Sequence, residues 1–215
     1  MFKKKPLFIV FEGIEGSGKS YLSRKLFKKL LKENISTILT REPGGTKRAE
    51  LIRNVILQDY FGKKNKEKFD KYTDTLLYLA ARNEHVQNVI KPSLYNKKIV
   101  ICDRFIDSTI AYQVYGKGVK LKFIENIHKE IINKLKPDLT FVLTVNLKES
   151  SKRLKKRKSN NRYDNFSKRF YINAQQAFVK IAKKNPKKYY VIDNSKNNKE
   201  IENKIFNIVI KRLKK

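Results

Sequence analysis

The sequence predicts an α/β fold, a doubly wound parallel five-stranded sheet flanked by helices on both faces. Short apolar runs of strand length alternate along the chain with segments in which apolar residues recur at helical spacing. This alternation is typical of parallel sheets with helical crossovers. The predicted strands are 7–12, 36–41, 98–103, 139–145 and 189–193. The predicted helices lie near 19–33, 46–57, 70–94, 121–135, 148–157, 163–184 and 198–213.

The first strand and the last two helices show these patterns clearly. Residues 7–11 read LFIVF, an uninterrupted apolar run that is typical of a strand buried on both faces. The two C-terminal helices are indicated by apolar residues at helical spacing: Phe166, Phe170, Ala174, Ala177 and Ile181 in one, and Ile201, Ile205 and Ile208 in the other. In a doubly wound sheet, ligands bind outside the carboxyl ends of the strands, and we expect functional residues there.

Length and composition predict one globular domain, residues 1–215, which would bury roughly 70% of its unfolded surface. No apolar stretch approaches the roughly 20 residues that a membrane helix needs. The basic start, Met1–Pro6, precedes only five apolar residues, too few for a signal peptide, so we expect a cytoplasmic protein. The single cysteine, Cys102, excludes a disulfide framework and is predicted to pack inside a strand.

The charge is strongly basic, with 51 lysines and arginines against 20 acidic residues and a net charge of +31. Such a charge ordinarily suggests a nucleic-acid partner. Here the basic residues are spread along the whole chain, and Asn, Ile and Lys are abundant together, as a genome-wide base bias would produce. We therefore expect no specific nucleic-acid partner. Attraction of anionic nucleotides is a simpler explanation for the positive electrostatic field of the chain. A nucleotide-dependent nucleic-acid-binding protein remains the alternative from a different functional class.

A phosphate-binding loop follows the first strand and carries the strongest functional signal. The motif G-x-x-x-x-G-K-S opens a helix, and it consists of Gly13, Ile14, Glu15, Gly16, Ser17, Gly18, Lys19 and Ser20. Its backbone N–H groups and the positive end of the helix suit anionic oxygens. Lys19 would reach the β- and γ-phosphates of ATP, and the Ser20 hydroxyl would ligate Mg²⁺. The sequence thus predicts a P-loop NTPase-type fold that binds ATP and Mg²⁺.

Two further strand ends carry motifs with two explanations each. Residues 40–46, TREPGGT, mark a tight turn in which the backbone can approach a ligand, although taken alone a structural turn is the better explanation. Asp103 ends the third strand and is placed to hold the Mg²⁺ shell, and Arg104 offers a fork for a second phosphate group. A salt bridge between these two side chains explains them equally well.

The basic segment at about 150–164 is the last motif. Six of the seven residues from Lys152 to Lys158 are basic. A solvated charged helix is the usual explanation. Beside a phosphate loop, the segment is also consistent with a basic helical lid that brings cations over a transferring phosphoryl group.

Together these motifs resemble those of the bacterial thymidylate kinases, which are P-loop nucleoside monophosphate kinases. The resemblance runs from Phe8 to about Lys211, with six motifs in the family's order and spacing. They are 11–20 (FEGIEGSGKS), 40–46 (TREPGGT), 78–82 (YLAAR), 90–92 (IKP), 103–113 (DRFIDSTIAYQ) and 137–140 (PDLT). The resemblance implies phosphorylation of dTMP to dTDP with ATP and Mg²⁺ in the synthesis of dTTP, by a homodimer joined through packed helices.

The resemblance also implies a set of residues that bind the nucleoside. Tyr78 would stack on the thymine ring, and Arg82, one helical turn later, would donate to a base carbonyl. Thr109 would face the pyrimidine edge, with Gln113 close by. Without the resemblance, helix amphipathicity explains Tyr78 and Arg82 better. A P-loop kinase of dUMP, dCMP or a deoxynucleoside is therefore the second alternative.

Further implied residues contact the sugar and the acceptor phosphate. Glu15 would hydrogen-bond the 3′-hydroxyl of the deoxyribose. Tyr112 would crowd the 2′ position, and would therefore favour deoxyribose over ribose. Arg53 and Arg104 would hold the acceptor phosphate.

The resemblance places the catalytic cation in the lid, because this phosphate loop contains no arginine. Arg153, Arg157 and Arg162 occupy the matching basic positions, and we expect Arg157 to be the key group with Arg162 assisting. Lys155 lacks the bidentate fork of arginine. The two histidines are not required, and His128 is expected to be a surface residue.

Overall fold

The structure of the protein, a computed structural model, describes residues 6–58, 68–156, 166–196 and 198–214. It contains a parallel five-stranded sheet in the order β2-β3-β1-β4-β5. The strands are β1 (Phe8–Glu12), β2 (Thr37–Arg41), β3 (Ile99–Asp103), β4 (Leu139–Thr144) and β5 (Tyr189–Asp193). The predicted fold class is confirmed, and each predicted strand is confirmed to within one residue at either end.

Strand β1 lies at the centre of the sheet. Phe8 pairs with Val100 of β3, and Ile9 pairs with Leu139 of β4. All five residues of β1 are buried, as the apolar run predicted. Because every pairing is parallel, the carboxyl ends of all five strands lie at one edge of the sheet.

Helices cover both faces of this sheet. They are α1 (Lys19–Lys32), α2 (Lys47–Leu57), α3 (Lys71–His85), α4 (Lys91–Tyr95), α5 (Ile106–Thr109), α6 (Leu121–Ile131), α7 (Leu147–Lys155), α8 (Lys168–Lys183) and α9 (Lys199–Leu213). Two π-helical turns, π1 (Val86–Ile90) and π2 (Ile110–Gly116), complete the described helices. Among the described residues, none of the helices combines the length and the apolar character that crossing a bilayer requires.

Side-chain caps set where several helices begin. The side chains of Thr46, Asp70, Asn146, Ser167 and Asn198 each accept a hydrogen bond from a backbone N–H in the first turn of α2, α3, α7, α8 and α9. Such caps satisfy N–H groups that have no partner within the helix. The helix predicted at 121–135 ends earlier, at Ile131, and Asn133 beyond it has a φ of 57°.

The helix predicted over 70–94 is one continuous run with a π turn in its middle. The N–H of Lys91 bonds to the carbonyl of Val86, five residues back. Pro92 follows directly, at the start of α4. A proline has no N–H to donate and clashes with the carbonyl of the residue four positions before it, so a widened turn here accommodates Pro92 without ending the helix.

The sequence predicted no element for residues 106–116, and the structure places α5 and π2 there. Within π2, Ala111, Tyr112 and Gln113 are buried. This segment follows β3 directly and packs against α8. It therefore brings its side chains to the edge where the strands end.

Apolar side chains form the core on both faces of β1. Ile9 and Phe11 pack with Leu26 and Leu30 of α1 and with side chains of α9. On the opposite face, Phe8 and Val10 pack with side chains of β3 and of the π1 segment, Cys102 among them. A third cluster, centred on Phe178 of α8, packs against β4 and π2. The prediction that Cys102 is buried in a strand is confirmed.

Candidate active site

The turn between β1 and α1 has the geometry of a phosphate-binding loop. Gly13 and Gly18 have φ values of 138° and 93°, in the region that favours glycine. A Cβ at Gly13 would overlap the carbonyl oxygen of Leu143, and one at Gly18 would overlap the side-chain amide of Asn194. Both positions therefore require glycine. The loop lies against the N-terminus of α1, where backbone N–H groups have no partner within the helix.

Lys19 is almost completely buried beside this loop, with a relative exposure of 6%. Its Nζ donates to the carbonyl of Ile14 at 2.8 Å and to the Ser17 hydroxyl at 3.4 Å. Burial and the charge of Arg104 lower the pKa of Lys19 to about 8, although Asp103 and Glu15 act in the opposite direction. The ammonium group is thus held inside the loop, close to the positions that anionic oxygens would take.

Two oxygens near the start of α1 suit a hard divalent cation. The Ser20 hydroxyl donates to Oδ2 of Asp103, which ends β3. The other carboxylate oxygen, Asp103 Oδ1, is buried and accepts no hydrogen bond from the described residues. A hydroxyl and an unpartnered carboxylate oxygen are ligands of the type that Mg²⁺ prefers, so these residues fit a magnesium ion. The described residues contain no cluster of three or more His, Cys, Asp or Glu that could hold a metal.

Glu15 is clamped between a guanidinium and a phenol. Its Oε1 accepts from Arg104 Nη2 at 2.7 Å, and its Oε2 accepts from the Tyr112 hydroxyl at 2.6 Å. Burial disfavours the Glu15 charge, but Arg104, Lys19 and the Tyr112 hydrogen bond outweigh it and lower the pKa of Glu15. Arg104 also donates to the carbonyl of Gly13 at 3.0 Å. Its own φ of 74° is unusual for a residue with a side chain, which is a feature of functional sites.

Two carboxyl groups lie behind this clamp. Glu12 Oε1 accepts from the backbone N–H groups of Phe105 at 2.8 Å and Ser108 at 3.2 Å, and its Oε2 lies 2.6 Å from the Ser108 hydroxyl. Burial, together with the charge of Asp107, raises the pKa of Glu12 to about 8. Burial also raises the pKa of Asp107 to about 6. The two buried carboxyl groups therefore hold protons more tightly than exposed carboxyl groups do.

Arg82 is buried at the other end of the cleft. Its Nε donates to Glu42 Oε2 at 2.7 Å, and its Nη2 donates to the carbonyl of Phe105 at 2.9 Å. Its Nη1 donates to the Thr109 hydroxyl at 2.8 Å and lies 2.8 Å from Nε2 of His128. The prediction that His128 is a surface residue is wrong, because its ring is half-buried against this guanidinium.

His85, the other histidine of the chain, contacts the second carboxylate oxygen of Glu42. His85 Nδ1 lies 3.1 Å from Glu42 Oε1, and His85 Nε2 lies 2.6 Å from the Thr40 hydroxyl. Burial disfavours the Glu42 charge, but Arg82 and His85 outweigh it and lower the pKa of Glu42. A continuous chain of polar groups thus runs from Thr40 of β2 to His128 of α6, with the Glu42 carboxylate and the Arg82 guanidinium buried at its centre.

The remaining residues implied to bind the acceptor also lie at the cleft. Tyr78 is half-buried on α3, and Arg53 on α2 donates to the carbonyl of Pro43 at 2.7 Å. Gln113 is 1% exposed, and its amide lies 3.5 Å from Asp74, which is paired with Lys117 at 2.6 Å.

Arg153 ties the phosphate loop to the end of β5. Its Nη1 donates to the carbonyl of Gly16 at 3.2 Å, and its Nη2 donates to the carbonyls of Asn194 and Ser195 at 2.9 and 3.0 Å. Its Nε donates to Glu149 at 3.0 Å. In this arrangement the guanidinium holds two loops together, and its predicted catalytic role stays a prediction.

A single cleft of about 450 Å³ connects these groups. It is lined by most of the predicted site residues, namely Glu15, Gly16, Gly18, Lys19, Ser20, Arg53, Tyr78, Arg82, Asp103, Arg104, Thr109, Tyr112, Gln113 and Arg153. Gly13, Ile14 and Ser17 belong to the loop but do not line the cleft. Arg157 and Arg162, and with them the predicted lid beyond residue 156, lie outside the described residues.

Comparison with known proteins decides the family. A family model described as thymidylate kinase matches residues 11–205. The chain is 39% identical over 210 residues to a thymidylate kinase of Mycoplasma capricolum, covering 97% of this chain and 96% of that one. It is 42% identical to a thymidylate kinase of Wolbachia pipientis, covering 93% and 97%. The crystal structure of thymidylate kinase from Ehrlichia chaffeensis matches with a TM-score of 0.69 and 38% identity over 88% of each chain.

The chain belongs to the thymidylate kinase family. The resemblance found in the sequence is thereby confirmed. The match to the thymidylate kinase model contains the last two residues of β1, all of β2 to β5 and the residues that line the cleft described above.

Sequence reasoning missed several residues that shape this thymidylate kinase cleft. Glu42 and His128 contact Arg82, and His85 holds Glu42. Glu12 and Ser108 connect β1 to the segment after β3. Glu42 stood inside a motif that we treated mainly as a turn. The position of Glu12 at the end of the apolar β1 run was the available signal, because a buried carboxyl group needs hydrogen-bond partners. Helix periodicity carried no signal for the histidines.

The Glu12 environment predicts how stability depends on pH. Between pH 4.5 and about 8, Glu12 keeps a proton when folded that it loses when unfolded. The free energy of unfolding should therefore fall as the pH rises from 5 to 8, by up to about 1.4 kcal/mol per unit from this group. Glu12→Gln should flatten this slope in urea unfolding curves.

Glu125→Gln, an exposed position on α6, is the matched control and should keep the wild-type slope. A wild-type slope in Glu12→Gln would contradict the assignment of the retained proton to Glu12.

Proposed function

We propose that this chain phosphorylates dTMP to dTDP with ATP and Mg²⁺, as a step in the supply of dTTP. The observation that carries the proposal is the single cleft in which a phosphate loop faces a wall formed by Tyr78, Arg82 and Thr109. One end of the cleft offers cations and backbone donors to a triphosphate. The other end offers an aromatic ring and a buried guanidinium to a nucleobase. Membership of the thymidylate kinase family supports the same reaction.

In our proposal, ATP binds by its phosphates to residues 13–20. The backbone N–H groups of this loop would donate to phosphate oxygens. Lys19 Nζ, which donates to Ile14 and Ser17 in this structure, would donate to the phosphate oxygens instead of, or in addition to, these two groups. Ser20 and Asp103 would hold Mg²⁺, which would neutralise charge on the transferring phosphoryl group. Asp103 Oδ1 supports this role because it is a buried carboxylate oxygen that lacks a donor among the described residues.

We further propose that the thymine ring stacks on Tyr78 and accepts a hydrogen bond from Arg82. Four N–H groups of Arg82 already have acceptors in the protein, so the guanidinium is fixed before the nucleotide arrives. Thr109 and Gln113 would lie at the edge of the ring, where both line the cleft. A rigid donor of this kind recognises a base at low entropic cost.

The sugar and the acceptor phosphate would lie between these two ends. Glu15 would accept from the 3′-hydroxyl, and Tyr112, bonded to Glu15, would exclude a 2′-hydroxyl. Arg53 and Arg104 would hold the acceptor phosphate, supported by their places in the cleft. Arg104 is suited to this role because arginine stays charged and its planar fork matches a phosphate group.

Phosphoryl transfer then requires positioning and charge neutralisation more than a side-chain base. The attacking oxygen belongs to a phosphate and is already anionic at neutral pH. Lys19, Mg²⁺ and cations of the segment after α7 would stabilise the charge that the transition state spreads over the phosphoryl oxygens. We propose Arg157 as the key cation of that segment with Arg162 assisting, and Arg153 as the residue that anchors its base.

The proposed reaction is tested by ADP formation from Mg·ATP with dTMP, dUMP, dCMP, dGMP or dAMP as the acceptor. We expect turnover that strongly favours dTMP, because in our proposal Tyr78, Arg82 and Thr109 form the set that reads the thymine base. Lys19→Ala should lower turnover by orders of magnitude with the fold intact. Preference for another acceptor would keep the phosphate chemistry and discard the base-site assignment, while ATP binding without any transfer would overturn the proposal.

The pKa of Lys19 predicts how ATP affinity depends on pH. Above pH 8 the free enzyme carries a neutral Lys19, which must take up a proton to pair with phosphate. The dissociation constant of Mg·ATP should thus be flat below pH 7 and rise by up to about tenfold per unit above pH 8. Calorimetry at pH 9 in buffers of different ionisation enthalpy should detect about one proton taken up per ATP.

Lys19→Arg serves as the matched variant, because its guanidinium stays charged over the same range. Its affinity should be lower but independent of pH. A wild-type dissociation constant that stays constant to pH 9.5 would show that Lys19 is charged throughout.

We also propose that the protein acts as a homodimer joined through α2 and α3. These helices pack together, and their outer surface exposes Leu51, Val55 and Leu76 by 68%, 39% and 48%. Light scattering should give twice the mass of one chain, and Leu51→Glu should give the mass of one. Leu31→Glu, at an apolar α1 position that is 45% exposed, should leave the mass unchanged. A monomeric wild type would refute the dimer.

The single domain over residues 1–215, the cytoplasmic location and the lack of a specific nucleic-acid partner stay proposals of the same kind. The family match over residues 11–205 supports one domain.

A further inference from the structure

The guanidinium of Arg82 has nearly all of its donors bound to the protein. Arginine carries five N–H groups and no acceptor. One bonds Glu42, two on Nη1 point to Thr109 and His128, and one on Nη2 bonds the Phe105 carbonyl. Within the described residues, a single Nη2 N–H therefore remains without a protein acceptor. Arg82 lines the cleft, so this N–H is the one that a ligand can use.

His128 reaches Arg82 from outside the cleft. It lies on α6, and it does not belong to the described residues that line the cleft, whereas Thr109 does. Because arginine can only donate, the 2.8 Å contact requires a lone pair on His128 Nε2, and the ring proton must be on Nδ1. Burial and the charge of Arg82 lower the pKa of His128 to about 3, which keeps the ring neutral at physiological pH.

The other contacts of Arg82 hold Nε and one N–H of Nη2, because the Phe105 carbonyl accepts from Nη2 at 2.9 Å. The Glu42 carboxylate holds Nε, and the guanidinium lies over the Phe105 ring, with 5.2 Å between Arg82 Cζ and the ring centroid. The Thr109 hydroxyl is a weaker constraint, because it can rotate and act as a donor or an acceptor. A ring nitrogen on a helix cannot adjust in this way. His128 is thus the fixed acceptor of Nη1, and together with the Phe105 carbonyl it sets the plane of the guanidinium.

We propose that His128 is a positioning residue for nucleotide recognition: by accepting from Arg82 Nη1, it turns the guanidinium so that the free Nη2 N–H faces the nucleobase. This inference rests on the proposed function, in which Arg82 reads the base. It assigns to α6, which contributes no lining residue among those described, a part in the affinity for the acceptor.

The inference predicts that removing the acceptor weakens binding of the acceptor nucleotide specifically. Without His128 Nε2, a buried charged N–H would seek another acceptor and turn the guanidinium away from the base. Hydrogen bonds to charged groups contribute enough that a change of about tenfold or more is expected. The phosphate loop and Lys19 do not contact this histidine, so ATP binding should be unaffected.

The experiment compares His128→Phe with His128→Gln in steady-state kinetics. His128→Phe keeps a planar ring without an acceptor, and His128→Gln offers an amide oxygen. We expect His128→Phe to raise the KM for dTMP about tenfold or more, with kcat and the KM for ATP within about twofold of the wild type. His128→Gln should recover most of the lost affinity. His128→Leu replaces His128→Phe if the latter does not fold.

A double-mutant cycle and a neighbouring control separate positioning from general damage. In an Arg82→Lys background, the effect of His128→Phe on the KM for dTMP should vanish, because the guanidinium that it orients is gone. Lys129→Ala, at the exposed next position of α6, should match the wild type.

Two results would overturn the inference: an unchanged KM for dTMP in His128→Phe, or an equal loss in His128→Phe and His128→Gln that also affects kcat and ATP. The wild type separately tests the proposed function. If the wild type uses another monophosphate, the proposed function fails. The His128 inference is then tested with that nucleotide, by comparing its KM or dissociation constant between the wild type, His128→Phe and His128→Gln.

Discussion

Parallel pairing of β1 with β3 on one side and β4 on the other is the constraint on which the cleft depends. The register places Phe11 opposite Asp103 and Glu12 opposite Val142, so three strand ends finish side by side. The Ser20 hydroxyl therefore meets Asp103, although they are 83 positions apart in the chain. The phosphate loop and the segment after β3 face each other because they start from the ends of β1 and β3, which the sheet holds side by side.

Ion pairs then fix the walls of the cleft. Glu15 pairs with Arg104, Glu42 with Arg82 and Asp74 with Lys117, and each carboxylate is largely or completely buried. Removal of one member of such a pair leaves an unpaired charge, which costs about 3–5 kcal/mol. The cleft consequently presents oriented donors before any nucleotide binds, and such preorganisation is the main way in which proteins stabilise charge in phosphoryl transfer.

Much of the fold could be predicted from the sequence, and the reason is local. The apolar runs of β1 and β3 and the helical spacing in α8 and α9 report burial directly, and caps such as Thr46 set helix ends within one or two residues. The π2 turn could not be predicted, because its shape depends on packing against α8 rather than on its own periodicity. The residues of the phosphate loop follow from their spacing alone.

The Arg82 environment shows the limit of that reasoning. Its partners come from the residue after β2, from α6 and from the segment after β3, and periodicity does not say which of these elements meet. Arg153 is a similar case, because its carbonyl partners on the phosphate loop and after β5 are visible only in three dimensions. Sequence patterns identify donors well and identify long-range acceptors poorly.

The π2 turn makes the chain between β3 and α6 unusually sensitive to its length. A π turn is wider than an α-helical turn, so each residue advances by less than the roughly 100° of an α-helix. The loss of one residue before Tyr112 would still rotate Tyr112 and Gln113 around the axis, away from the positions at which they line the cleft. Substitutions can be absorbed here one side chain at a time, but a deletion or insertion of a single codon would misdirect the whole wall at once.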